Sequence, residues 1–261
     1  MRRPARFAAR LVALVLLGSG LAAAPAYAVD PTLPPVGTDF DYQLGGNRPV
    51  PDRVGIEVRD RGAAPADGLY NVCYVNGFQT QEDEKDFWRE QHWDLVLKDD
   101  GRAVVDEGWG EWVLDLRTPA KRRALARIVG RWVAGCADDG FAGVELDNLD
   151  SYSRSHGLIS RTQTKKYAAL LVRRAHRAGL AVAQKNMAQW DGTTVGFDFA
   201  IAEECAHWRE CGSYVEHYGR HVLAVEYTRK DFRRACRTVA DEIAVVRRDV
   251  PLSPHGVRRW C

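Results

Sequence analysis

No stretch of this sequence is long and apolar enough to span a bilayer, which takes about 20 residues. The apolar run Leu11 to Leu17 stops at Gly18, and the small residues up to Ala28 interrupt any extension. A membrane anchor is therefore not expected. Neither G-x-G-x-x-G nor G-x-x-x-x-G-K-S/T occurs, so the phosphate cradles of doubly wound nucleotide-binding sheets are missing. The serine elbow G-x-S-x-G and the zinc-binding H-E-x-x-H are missing too. The six cysteines include no C-x-x-C pair, which argues against a zinc site. His217 and His221 stand one helical turn apart, but Gly219 lies between them and no third ligand is evident. Glu145, Asp147 and Asp150 match no calcium-loop spacing. The sequence thus asks for no metal and no cofactor.

What is present begins with a leader. Arg2, Arg3, Arg6 and Arg10 precede and flank the apolar core, and Ala26-Tyr27-Ala28 is an A-x-A cleavage site. Residues 1–28 read as a secretory signal peptide, so the expected location is extracellular. Cleavage leaves 233 residues and moves the formal charge from +2 to −2, since four arginines depart. The basic balance of the whole chain belongs to the leader, and a nucleic-acid partner is not expected. Residues 29–38, with Pro31, Pro34, Pro35 and Gly37, read as an extension into one domain over 39–261, expected to be monomeric. An even cysteine count in an exported chain favours three disulfides, with fifteen pairings open. Spacing suggests Cys205 with Cys211 as a loop staple and Cys236 with Cys261 as a tie for the C-terminus, which leaves Cys73 for Cys136.

Strand-like runs alternate with helix-like runs, the pattern of parallel βα units. Eight candidate strands are 41–44, 54–58, 70–75, 112–116, 143–147, 181–185, 197–201 and 222–226. Thr118 and Pro119 supply an N-cap and an N1 proline for a helix carrying Leu125, Ile128, Val129, Trp132, Val133 and Cys136 on one stripe. A second stripe runs through Tyr167, Leu170, Leu171, Ala175 and Ala178 to Gly179, and a third from Asp231 through Phe232, Ala235 and Val239 to Ile243. Eight strands with outer helices predict an α/β fold, a single-domain (β/α)8 TIM-like barrel, over the runner-up of an open doubly wound sheet.

In such a barrel the active site forms at the C-terminal strand ends, so acids ending strands are the candidates. In Gly143 to Asp150, alternation puts Val144 and Leu146 toward the helices and Glu145 and Asp147 in the lumen, Glu145 the deeper. In Phe197 to Cys205, the same rule with Phe197, Phe199 and Ile201 facing the helices points Asp198 and Glu204 inward, although strand tips often bulge. Glu226-Tyr227 ends another strand, an acid beside an aromatic as a sugar subsite would use. Lys185 and Asn186 add a cation and an amide to the same mouth. Two carboxylates across a mouth are the equipment of glycoside hydrolysis, one protonating the leaving oxygen and the other attacking the anomeric carbon or activating water.

Over most of residues 42–227 the sequence resembles the endo-α-1,4-polygalactosaminidase family of glycoside hydrolases. The resemblance rests on Tyr42–Leu44, Asn71–Val75, Trp109–Trp112, Gly140–Asp150, Lys185-Asn186, Phe197–Cys205 with Cys211, and Val225–Tyr227. It implies a (β/α)8 barrel acting on a polysaccharide that contains galactosamine or N-acetylgalactosamine, with Asp147 as nucleophile and Glu203, rather than Glu204, as acid/base. Together with the strand-end reading, the expected lining of the substrate site is Tyr42, Tyr74, Glu145, Asp150, Lys185, Asn186, Glu204, Glu226 and Tyr227. Acids gathered at the mouth would attract a cationic polymer. Two departures stand out. Ala202 replaces the family's Asn before the glutamate, and Gly77-Phe-Gln79-Thr80 lacks the acid of its Gly-x-x-Glu. Both favour an alternative in which the barrel binds a polysaccharide without cutting it.

Overall fold

The computed structural model describes residues 30–261, so the predicted leader lies outside the described residues. Eight strands run parallel in chain order: β1 (Asp39–Gln43), β2 (Val54–Asp60), β3 (Tyr70–Asn76), β4 (Gly143–Asp147), β5 (Ala181–Lys185), β6 (Phe199–Glu203), β7 (Val222–Glu226) and β8 (Ala244–Arg248). A ninth, β9 (Arg258–Trp260), pairs antiparallel with β8. The sheet curls into a nearly closed barrel, the expected TIM-like architecture. The pleat divides its side chains into two cores. Phe40, Tyr42, Ile56, Val58, Phe199, Ile201 and Val225 fill the lumen. Val144, Leu146, Val182, Ala200, Ala202 and Ala224 face outward against the helices.

Those helices are α1 (Lys85–Gln91), α2 (Pro119–Asp138), α3 (Arg161–Arg177), α4 (Cys205–Trp208), α5 (Cys211–Tyr218) and α6 (Arg229–Thr238). Local chemistry sets their limits. The Thr118 hydroxyl accepts the Lys121 N–H ahead of Pro119, and Ser160 and Gln163 form a reciprocal capping box on α3. Gly179, at φ +80°, turns the chain out of α3 into β5. The connections from β1 to β2 and from β2 to β3 carry no helix. All three disulfides join the cysteines that spacing suggested: Cys73–Cys136, Cys205–Cys211 and Cys236–Cys261.

Three elements differ from the sequence reading. The run Trp112–Leu116 is not a barrel strand. Glu111–Trp112 pairs antiparallel with Val105–Asp106 in a small hairpin ahead of α2, and Val113 and Leu114 make isolated antiparallel bridges to Gln79 and Val96. Val113, Leu114 and Leu116 are apolar because they are buried in the outer core. The strand that completes the eight is β8, since α6 stops at Thr238 and does not run to Ile243. Strand β6 begins at Phe199 and runs on to Glu203, two residues later than the apolar run suggested.

Candidate active site

Alternate residues of each strand enter the lumen, and the last of them stands at the C-terminal mouth. That residue is Asn76 on β3, Asp147 on β4, Lys185 on β5 and Glu203 on β6. Lys185 is the hub. Its Nζ lies 2.7 Å from Glu145 Oε1 and 3.4 Å from both Asp147 Oδ1 and Glu203 Oε2. A shared nitrogen 3.4 Å from each places those two oxygens within twice that distance, about 6.8 Å, of each other. Tyr42 donates its hydroxyl to Glu145 Oε1 at 2.7 Å and accepts from Lys185 at 2.9 Å. Burial alone would drive Lys185 toward its neutral form, but Asp147, Glu145 and Glu203 together hold its ammonium well above the ordinary lysine range. Burial raises the Glu145 carboxyl instead, against the pull of Lys185.

Each member of the candidate pair has its own donors. Asp147 accepts from the Tyr74 hydroxyl at 2.8 Å and from the Asn148 N–H at 2.7 Å. Glu203 accepts from the Tyr227 hydroxyl and, at 3.3 Å, from the Asn186 amide, whose oxygen takes the Glu203 N–H at 2.9 Å. The residue after three of these tips is left-handed: Asn148 (φ 65°), Asn186 (φ 53°) and Glu204 (φ 56°). The chain thus swerves where alternation would next have assigned a side.

These groups open into a cleft of about 890 Å³. Of the residues named from sequence, Tyr42, Tyr74, Asp147 and Asp150 line it from β1 to β4, and Lys185, Asn186, Glu203, Glu204 and Tyr227 from β5 to β7. Asp150 is bridged by Arg154 at 2.8 Å. Two others require correction. Glu145 is fully buried beneath the floor, sealed by Tyr42 and Lys185, so it supports the site and does not touch a substrate. Glu226 is fully buried on the helix-facing side of β7, like Val222 and Ala224, where it accepts the Ala206 N–H at 2.8 Å. Burial pushes its carboxyl up to about 7.

The expectation for β6 was out of phase. Phe199 and Ile201 face the lumen, which carries Glu203 inward with them. Asp198 precedes the strand and accepts from the Val182 N–H at the opposite end of the barrel. Ala202 faces the helices, so its difference from the family's asparagine leaves the cleft intact. Gln79 is buried outside the cleft, donating to Asp106 at 3.2 Å.

The sequence reading missed four acids that line the cleft, Asp60, Asp106, Glu111 and Glu210. Glu111 lines the cleft, accepting from Asn76 at 2.9 Å and from the Asn148 amide at 3.3 Å. Burial pushes it to about 7 against the Asn76 amide, with Asp147 and Asp106 adding to the rise. Its signal was present in Trp109–Trp112. Reading Trp112–Leu116 as a barrel strand placed Glu111 at the wrong end of that strand. Trp109 and Trp208, 62% and 64% exposed, also line the cleft.

The sequence profile of glycoside-hydrolase family GH114 matches residues 19–261. The crystal structure of Aspergillus fumigatus Ega3 in complex with galactosamine is similar over 90% of this chain and 100% of that one, at 19% identity and a TM-score of 0.73. The glycoside hydrolase domain of PelA from Pseudomonas aeruginosa is similar over 85% of this chain and 98% of that one, at 18% identity and a TM-score of 0.59. At such identities the likeness is one of fold. No curated protein sequence matches the chain.

Proposed function

The chain belongs to glycoside-hydrolase family GH114, and from that premise we propose that it is a secreted, endo-acting hydrolase of α-1,4-galactosaminidic linkages in an amino-sugar exopolysaccharide. The carrying observation is the single ammonium of Lys185 shared by Asp147 and Glu203. Two acids 56 positions apart in the chain are thereby gathered at one ammonium, as a pair acting on one linkage requires. The galactosamine in the Ega3 complex supports the choice of sugar.

The separation bound is compatible with retention. Carboxyl groups of retaining enzymes lie about 5–5.5 Å apart and those of inverting enzymes about 6.5–9.5 Å. A ceiling near 6.8 Å between one oxygen of each carboxyl admits the retaining spacing. In this mechanism Asp147 attacks the anomeric carbon while Glu203 gives its proton to the departing oxygen. Glu203 then takes a proton from the water that attacks the same carbon and releases Asp147. Lys185 holds both side chains in place, and Tyr74 and Tyr227 orient one carboxyl each.

The alternative of a barrel that binds without cutting rested on Ala202 and Gln79, and neither side chain lines the cleft. Release of reducing ends from an α-1,4-linked galactosamine polymer tests the reading. Asp147→Asn and Glu203→Gln are each expected to lower kcat by roughly a hundred- to ten-thousandfold with little change in polymer binding. No release by the unaltered protein, or variants that retain its rate, would discard it.

A further inference from the structure

Where β9 lies against β8, arginines are set against one another. The antiparallel register puts Arg258 opposite Arg248 and Arg259 opposite Arg247, although like charges directly across a ladder repel. Arg48, from the segment after β1, joins them, its Nη1 donating to the carbonyls of Pro254 and Gly256 at 3.1 and 3.2 Å.

Few carboxylates answer this charge. Asp41 serves three guanidiniums, at 2.7 Å from Arg258, 3.1 Å from Arg248 and 3.8 Å from Arg48. Asp249 lies 3.8 Å from Arg248. Glu57 adds little at neutral pH, since burial pushes its carboxyl up to about 8. Arg259 pairs with no carboxylate among the described residues and donates only to the Arg258 carbonyl, at 3.2 Å. Arg48 has Nε and Nη2 buried without a hydrogen-bond partner among the described residues, and a guanidinium cannot escape by losing its proton. Arg48, Arg248, Arg258 and Arg259 against Asp41 and Asp249 leave an excess of two positive charges.

Three of these arginines, Arg48, Arg258 and Arg259, open on a cavity of about 310 Å³, walled otherwise by Gly256, Val257 and Trp260. It shares no lining residue with the substrate cleft. The Trp260 indole is held in place by its hydrogen bond to the Phe40 carbonyl. Guanidinium forks match the oxygens of a phosphoryl group. A phosphomonoester carries close to two negative charges at neutral pH, which equals the excess, whereas a carboxylate would leave one charge over.

We propose that this cavity is a phosphate-binding site, separate from the cleft, which takes a phosphomonoester on Arg48, Arg258 and Arg259 with the carrier of the ester against Trp260. A sugar phosphate has that chemistry. Its binding would tie the segment after β1 to the β8–β9 turn across the seam, and so stabilise the fold.

The test needs no turnover, so it stands whichever way the hydrolase reading falls. The full secreted protein is titrated calorimetrically, at constant ionic strength, with inorganic phosphate, glucose 6-phosphate and acetate. Both phosphates are expected to saturate one site per chain and to bind roughly tenfold tighter than acetate, with a rise in Tm. Arg48→Gln and Arg259→Gln should each weaken both phosphates roughly tenfold and shrink that rise. Arg123→Gln, at an exposed position of α2, should change neither. If Arg48→Gln does not fold, Arg259→Gln decides, because that side chain is exposed. The site is overturned by phosphate that does not saturate, by acetate binding as tightly, or by inorganic phosphate binding while glucose 6-phosphate does not. Unchanged affinity in Arg259→Gln, or equal weakening in Arg123→Gln, overturns it as well.

Discussion

Lys185 and Glu57 show two opposite fates of a buried charge. Lys185 meets three carboxylates, and its charge is kept. Glu57, fully buried on β2, has no partner for either carboxyl oxygen. Burial, helped by Asp41, pushes it up to about 8, so it enters the fold protonated. A raised acid favours folding while the unfolded chain is also protonated, and that advantage is lost as pH climbs from the ordinary glutamate value toward 8. Glu57→Gln should therefore raise stability at pH 8 by on the order of 1–3 kcal/mol and change it little at pH 5, read from denaturant midpoints. A gain of equal size at both pH values would mean the side chain is ionised in the fold. Sequence alone could not expose this residue, because its neighbours on β1 and β8 lie far away in the chain.

At the scale of elements, what was legible followed how each strand is clothed. Strand β4 sits between helices and a polar floor, so its alternation placed Glu145 and Asp147 correctly. Strand β6 has apolar residues on both faces, Ala200 and Ala202 outward and Phe199 and Ile201 inward, and larger side chains do not reveal which face is the core. The family resemblance, not periodicity, supplied Glu203. Strand β8 was hidden behind α6 because Val239 and Ile243 continue a helical stripe across the chain's turn to β8. The cysteines were easier, since each pair ties neighbouring elements. Cys73 on the outer face of β3 is bonded to Cys136 near the end of α2, closing 63 residues that hold α1 and the Glu111 hairpin. Chain entropy assigns such a crosslink about 4 kcal/mol. Replacing both cysteines by serine should cost about 3–4 kcal/mol in denaturant unfolding, and the Glu111 hairpin should become the first site of protease cleavage. A loss under about 1 kcal/mol would show that packing of α2, not the bond, fixes that long excursion.

For the molecule as a whole the critical place is the seam. No ladder joins β1 to β8 among the described residues, so side chains complete the circle. Arg248 and Arg258 both reach Asp41 on β1, at 3.1 and 2.7 Å, and the Trp260 indole donates to the Phe40 carbonyl at 2.8 Å. The Cys236–Cys261 bond fixes β9 to α6 beside this seam. Asp41 is fully buried. Burial alone would raise its carboxyl, but Gln43, Arg258 and Arg248 outweigh it and hold it below the usual aspartate range. Its contribution is accordingly present at neutral pH and lost as acid titrates the folded carboxyl below the ordinary aspartate value. Asp41→Asn keeps the shape but leaves Arg248, itself fully buried, with only the more distant Asp249, at 3.8 Å, as countercharge. Breaking one side of a buried pair costs about 3–5 kcal/mol, which for a domain of this size lowers Tm by roughly 10 °C. The cleft lies at the strand tips, and Tyr42, which supports Lys185 through its hydroxyl, follows Asp41 on the same strand. Activity of the variant should therefore fall together with its folded fraction on warming. A variant that keeps its Tm at pH 7 would mean that the β8–β9 pairing and the disulfide close the barrel without the ionic seam.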